Sequence, residues 1–156
     1  MPSTINRQIV LKRRPTGPPT PDDFALVEAP VPRPGPGQLL GRTIYLSLDP
    51  YMRGRMNEGR SYARPVELGQ VMVGGTVSQV VESQNPGFAP GDVVLGYDGW
   101  QEYAVSNGAG MLKLDPAVAP ISTALYWEMR PQRGMRALRL MRRSTAASTG
   151  PPTLSK

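Results

Sequence analysis

The chain has 156 residues, 39% hydrophobic and 19% charged, with a formal net charge of +6 and neither cysteine nor histidine. That is room for one ordinary globular domain plus an extension, and it excludes disulfides, thiolate chemistry, a Ser-His-Asp triad and any zinc held by Cys or His. No run of about 18 apolar residues suggests a membrane-spanning helix, and the N-terminus lacks the apolar stretch of a secretory signal, so a cytoplasmic protein is expected.

The first expected strand is Arg7–Leu11, short and rich in β-branched residues. A proline-rich surface loop over Pro15–Pro21 follows, because proline donates nothing to a ladder. Asp23–Glu28 alternates and predicts a second strand. Gln38–Leu48 is the longest strand candidate, with Leu39, Thr43, Tyr45 and Ser47 on one face and Leu40, Arg42, Ile44 and Leu46 on the other. Asp49–Met56 breaks that pattern: Pro50 fixes its φ and Gly54 loosens the chain, so a tight turn or a single helical turn is expected. Residues 57–65 read as an exposed loop.

Val71–Val81 reads as a strand interrupted by Gly74 and Gly75, which suggests a bulge or a close approach of another group. Three short strands follow at Val93–Leu95, Gln101–Val105 and Met111–Leu114. Strands recurring every ten residues or so between Pro/Gly turns indicate an all-β barrel or sandwich. The sequence has no long amphipathic helix in this region and no Gly-x-Gly-x-x-Gly between a strand and a helix, so no Rossmann unit is read here.

Charge divides the chain near Leu125. Residues 1–125 carry 11 basic and 11 acidic side chains, whereas residues 126–156 carry 7 basic side chains against Glu128 alone. The high pI therefore describes the tail, and nucleic acid is not an expected partner of the main domain.

Leu46-Ser-Leu-Asp-Pro-Tyr-Met-Arg-Gly-Arg-Met56 closely resembles a signature of the zinc-independent medium-chain dehydrogenase/reductases, in the branch of NADP-dependent alkenal and enone reductases, prostaglandin reductases and curcumin reductase-like enzymes. Arg7–Gly17, Pro65–Gly69, Gly91–Gly96, Gly99–Val105 and Pro120–Leu125 agree with it in order and spacing. The resemblance covers roughly residues 5–125 and implies a mainly β fold: the partly open GroES-like β-barrel with short helical turns that forms the first half of such enzymes. Zinc-containing relatives carry Cys and His near the positions of Asp49 and Gln70, so no metal is expected. The resemblance further implies NADP(H) as cofactor, with its site outside this chain, and a small-molecule enone or alkenal as substrate. In such a reduction, charge gathers on the carbonyl oxygen and must be stabilised.

The pocket candidates are Tyr51, Met52, Arg53 and Trp100. Tyr51 offers a flat face and a hydroxyl, although Tyr51 and Met52 also suit the barrel core. Arg53 and Arg55 suit cofactor phosphates or carboxylate substrates, or pairing with Asp49 or Glu58, and Trp100 suits either the pocket or a packed strand end. Without a second domain the barrel is expected to expose an apolar face, including parts of Tyr51, Met52 and Met56, and to self-associate through it.

The tail departs from the family at Tyr126. Its recurrent arginines between 130 and 143 read as a basic arm for nucleic acid or an anionic surface, as a short helix over Gly134–Arg143, or as the out-of-frame product of a GC-rich gene. Codon degeneracy over Ala137–Ser144 permits Leu-Thr-Ala-Tyr-Ala-Ala-Leu in another frame, which is similar to a helix the family places soon after this point. The expectation is therefore a truncated reductase at residues 1–125, inactive as this fragment, followed by a basic tail at 126–156. The alternative is a non-catalytic β-barrel binding module with a basic arm.

Overall fold

The computed structural model describes residues 4–58 and 64–128. Residues 1–125 form one unit; Tyr126–Lys156 form a second, of which only the first three residues are described. The arginine run between 130 and 143, and with it the expected basic helix, lies outside the described residues.

Two antiparallel sheets make up the first unit. β1 (Ile5–Leu11) pairs along its length with β2 (Phe24–Pro30), from Ile5↔Pro30 to Leu11↔Phe24. The proline-rich loop between them ends in a 3-10 turn at Pro21–Asp23, where the buried Asp23 carboxylate accepts from the Thr20 N–H (2.7 Å) and from Arg13 Nε (2.6 Å). The second sheet holds β3 (Leu39–Leu46), β4 (Thr76–Ser83), β5 (Val93–Gly96), β6 (Tyr103–Ser106) and β7 (Leu112–Leu114) in the order β6-β3-β4-β5-β7. Between β3 and β4 lies the five-residue helix α1 (Tyr51–Arg55). After β7, a 3-10 turn at Ile121–Thr123 runs into α2 (Ala124–Glu128). No helix among the described residues is long and apolar enough to cross a membrane.

The free edge of β1 holds the two sheets together. Ile9 donates to the Trp100 carbonyl (2.8 Å) and accepts from the Met72 N–H (3.0 Å), while Leu11 donates to Gln70 O (3.0 Å) and accepts from the Gly69 N–H (2.7 Å). Asn6 adds a side chain that behaves as backbone. Thr43 N donates to Glu102 O, so the alternation of an antiparallel ladder turns the N–H and C=O of the next residue, Tyr103, away from β3. Asn6 Oδ1 accepts from that N–H (2.9 Å) and Asn6 Nδ2 donates to that carbonyl (2.8 Å). The resulting fold is the partly open barrel that the sequence implies: open sheets stitched along one strand.

Two apolar clusters fill it. Leu11, Met52, Met56, Val66 and Met72 pack together beneath Phe24, Tyr51, Val73 and Trp100, and Leu39, Val80 and Val94 pack against Phe88 and Met111.

Two expectations are revised. The even alternation along β3 fails because its register shifts at Leu40/Gly41 and again at Thr43/Tyr45, so Leu39, Leu40 and Gly41 are all buried while Ile44, Tyr45 and Leu46 are all exposed. The strand expected from Val71 begins only at Thr76, because Met72 is bonded on both sides, to Ile9 and to the Trp100 N–H (2.8 Å). Of the loop expected at 57–65, residues 59–63 lie outside the described residues.

Candidate functional site

The site is built on α1. Pro50, at the N-cap with φ −56° and ψ −31°, is already in helical conformation, and Asp49 O accepts the first helical bond from Met52 N (3.0 Å). The approach to the helix is fixed by Ser47, which donates its N–H to Gly75 O (2.9 Å) and its hydroxyl to Asp49 Oδ2 (2.7 Å).

Residues four apart share one face of a helix, and this sorts α1 and the two residues after it into three faces. Met52 and Met56 point into the first apolar cluster, each only 3% exposed. Arg53 and Asn57 point to the proline-rich loop: Arg53 Nε donates to Gly17 O (3.0 Å), Nη2 to Pro15 O (3.0 Å) and Nη1 to Asn57 Oδ1. Tyr51 and Arg55 face an open cleft of about 460 Å³, lined among the described residues by Val73 and Tyr97 as well.

Of the four sequence candidates, Tyr51, Met52 and Trp100 meet in the first apolar cluster, while Arg53 points away from it to the proline-rich loop. Tyr51 lines the cleft, Met52 lies beneath it in the core, and Arg53 spends its guanidinium on two loop carbonyls and Asn57. The Trp100 ring lies 5.4 Å from that of Phe24, centre to centre, and rests against Gly74, where a Cβ would come within 3.0 Å of the indole and 2.9 Å of Leu46 Cδ1. Gly99 sets the indole there: its φ is +76°, and a Cβ on it would stand 2.5 Å from Met72 O. The expected exposure of Met52 and Met56 is corrected, because helical phase turns both into the core. Apolar surface is exposed instead at Ile44, Tyr45, Leu46, Leu48 and Tyr97. Neither expected arginine–carboxylate pair forms: Glu58 takes Arg14 Nε (2.8 Å), and Asp49 takes Ser47.

Sequence reasoning offered Arg55 only beside Arg53, as an anion-binding or ion-paired arginine, and passed over Val73, Tyr97 and Asp98. Arg55 is partly buried; its Nε is buried with no acceptor among the described residues, and none of their ion pairs includes it. The signal for Arg55 was its four-residue spacing from Tyr51. Next to Tyr97, the Asp98 carboxylate accepts from Ser78 Oγ (2.9 Å) and Thr76 Oγ1 (3.1 Å). Burial pushes its pKa above the usual carboxylate value, against the two hydroxyl bonds that pull it down. Among the described residues no three of Asp, Glu, His and Cys gather as a metal site would require.

Comparison with known proteins gives a consistent result. Residues 7–114 match the family described as the N-terminal domain of oxidoreductase. The chain is 59% identical over 109 residues to an NADPH-dependent curcumin reductase of Escherichia coli, covering 70% of this chain and 32% of that protein. It is 36% identical over 118 residues to prostaglandin reductase 1 of Bos taurus, covering 74% of this chain and 34% of that protein. The crystal structure of CurA in complex with NADPH from Vibrio vulnificus superposes with a TM-score of 0.72 at 52% identity, over 76% of this chain and 35% of that one. The chain therefore spans about a third of the length of the relatives it matches.

Proposed function

The chain belongs to the family of oxidoreductase N-terminal domains, and from that premise we propose that residues 1–125 are the barrel half of an NADP-dependent reductase acting on the C=C bond of α,β-unsaturated carbonyls. The observation that carries this reading is the cleft between Tyr51, Arg55, Val73 and Tyr97, formed at the segment that bears the strongest resemblance to the enone reductases. A cleft lined by two tyrosines and a valine suits a flat enone, and Arg55 offers a cationic donor for an oxygen that gathers negative charge.

The described residues fit a single flat ring there and do not fit a whole dinucleotide. Among the described residues both α-helices are short, and no glycine-rich turn joins a strand to a helix. In this reading the cofactor is held by a second domain, and the present chain lacks reductase activity by itself. Substrate identity depends on that second domain as well. A reducing cytoplasm suits the cysteine-free sequence, and the tail beyond Leu125 is read as an out-of-frame product.

Replacing the matching first third of the E. coli curcumin reductase with residues 5–125 tests the reading. The chimera is expected to reduce 4-phenylbut-3-en-2-one with NADPH, while the 156-residue chain alone does not. A folded but inert chimera, or turnover by the chain alone at an ordinary enzymatic rate, overturns it. Nucleotide sequence downstream of the Leu125 codon tests the tail: a gene with no cofactor-domain frame there refutes the out-of-frame reading.

A further inference from the structure

We infer that Arg55 makes this cleft selective for ligands in which a carboxylate is joined to a flat, unsaturated apolar body. The inference rests on the cleft being the ligand site. It begins from how four other arginines of the barrel are employed. Arg7 is committed to Glu102, Arg13 to Asp23, Arg14 to Glu58 and to the carbonyls of Met56 and Val66, and Arg53 to the loop carbonyls of Pro15 and Gly17. Arg55 differs from all four. It lines a cavity, its side chain has no hydrogen-bond or ion-pair partner among the described residues, and its buried Nε has no acceptor among them.

The Arg55 Nε is buried with no acceptor among the described residues, so an anion reaching it supplies a missing partner and gains more than one reaching an arginine already paired. Turning the side chain toward a ligand breaks no bond, because among the described residues it makes none. Its fork presents two parallel N–H donors, which match the two oxygens of a carboxylate. The other walls decide what carries that carboxylate. Tyr51 and Tyr97 supply aromatic surface and Val73 an aliphatic one, with no second cation among the described lining residues. One cation beside apolar walls suits a monoanion with a planar hydrocarbon body, whereas a pyrophosphate would leave charge uncompensated against apolar surface.

The test uses the whole 156-residue chain, with binding followed through the ring resonances of tyrosine. trans-Cinnamate, its methyl ester and inorganic pyrophosphate are titrated separately, and Tyr51→Phe and Tyr97→Phe spectra assign the signals. Cinnamate is expected to shift the Tyr51 and Tyr97 signals and to bind at least tenfold more tightly than the ester. Arg55→Gln should remove that preference and leave the ester's affinity unchanged, while Arg55→Lys retains part of it because the charge stays and the fork is lost. Circular dichroism confirms that each variant is folded. Equal affinity for acid and ester in the unmodified chain, which needs no variant, overturns the inference but leaves the cleft as ligand site. A preference that survives Arg55→Gln also overturns it. Pyrophosphate binding more tightly than cinnamate, in an Arg55-dependent way, replaces the carboxylate assignment with a phosphate one. If neither cinnamate nor its ester shifts the two tyrosines, the cleft is not the ligand site, and the functional reading falls together with the inference.

Discussion

Removing the Asn6 carboxamide is expected to weaken the junction between the two sheets more than any single ladder bond would. Asn6 is 1% exposed and makes two hydrogen bonds to Tyr103, 2.8 and 2.9 Å long. Because Tyr103 turns its N–H and C=O away from β3, both groups lose their partner in a variant. Each orphaned buried group costs about 1–3 kcal/mol. Asn6→Leu keeps the side-chain volume and excludes water, so its expected cost is about 3–4 kcal/mol, a large part of the roughly 5–15 kcal/mol that holds a domain together. Asn6→Ala leaves space in which a water can bridge to Tyr103, so about 2 kcal/mol is expected. For a unit of this size, each kcal/mol lowers Tm by about 3–5 °C. Asn6→Asp tests the geometry itself. The introduced carboxyl can donate to the Tyr103 carbonyl only when protonated, so the fold raises its pKa. Stability is then greatest below the ordinary carboxylate pKa and is lost as pH rises through the raised one. Urea unfolding followed by circular dichroism measures all three variants. An Asn6→Leu protein within about 1 kcal/mol of the unmodified chain, at equal m-value, refutes the argument.

Two further perturbations probe the ground around the cleft. Gly74→Ala would set its Cβ 2.9 Å from Leu46 Cδ1 and 3.0 Å from the Trp100 indole; a cost of about 1–3 kcal/mol and an altered near-UV signal from Trp100 are expected, and an unchanged urea midpoint would refute the close packing. Asp98 has its pKa raised, chiefly by burial. The fold thus favours its protonated form, and the stability tied to it is full below the ordinary carboxylate pKa and lost as pH rises through the raised one. Asp98→Asn does not titrate and should gain in stability relative to the unmodified chain as pH rises above the ordinary carboxylate pKa; a difference between the two proteins that stays flat as pH rises from there counts against a buried Asp98.

The sequence made the barrel legible because proline and glycine punctuate it. Strands appear where Pro15–Pro21, Pro36-Gly37 and Pro90-Gly91 leave room for them, and every expected strand has an observed counterpart within a few residues, apart from the 71–75 portion of β4. The errors share one cause, which is pairing between residues far apart in sequence. Gly41 admits Ser78 so closely that a Cβ would stand 3.2 Å from the serine's own, and the ladder slips beside it. No periodicity within β3 carries that information. Val71 and Met72 have strand-like composition but are held by β1 and Trp100 rather than by the second sheet. In the site, residue types drew attention to Tyr51, Met52 and Arg53 as neighbours in sequence, whereas helical phase pairs Tyr51 with Arg55. A helix of five residues leaves almost no periodic signal, which is why the pairing required the structure.

That short helix also explains how the cleft is held. Five residues do not form a stable helix alone, so α1 exists through its anchors. Met52 and Met56 are buried in the core, Arg53 bonds to the proline-rich loop, Val66 N donates to Arg55 O (2.8 Å), and Arg14 Nη1 donates to Met56 O (2.9 Å). Only main-chain atoms of the cleft face take part in these bonds. The Arg55 side chain has no partner to lose among the described residues, and Val73 contributes only part of its surface to the core. The fold is therefore set mainly on two faces of the helix, and the proposed ligand site lies on the third. Substitutions at Arg55 should change what the cleft binds at little cost to stability, whereas substitutions at Met52 or Arg53 should move the whole face and alter binding without touching the ligand.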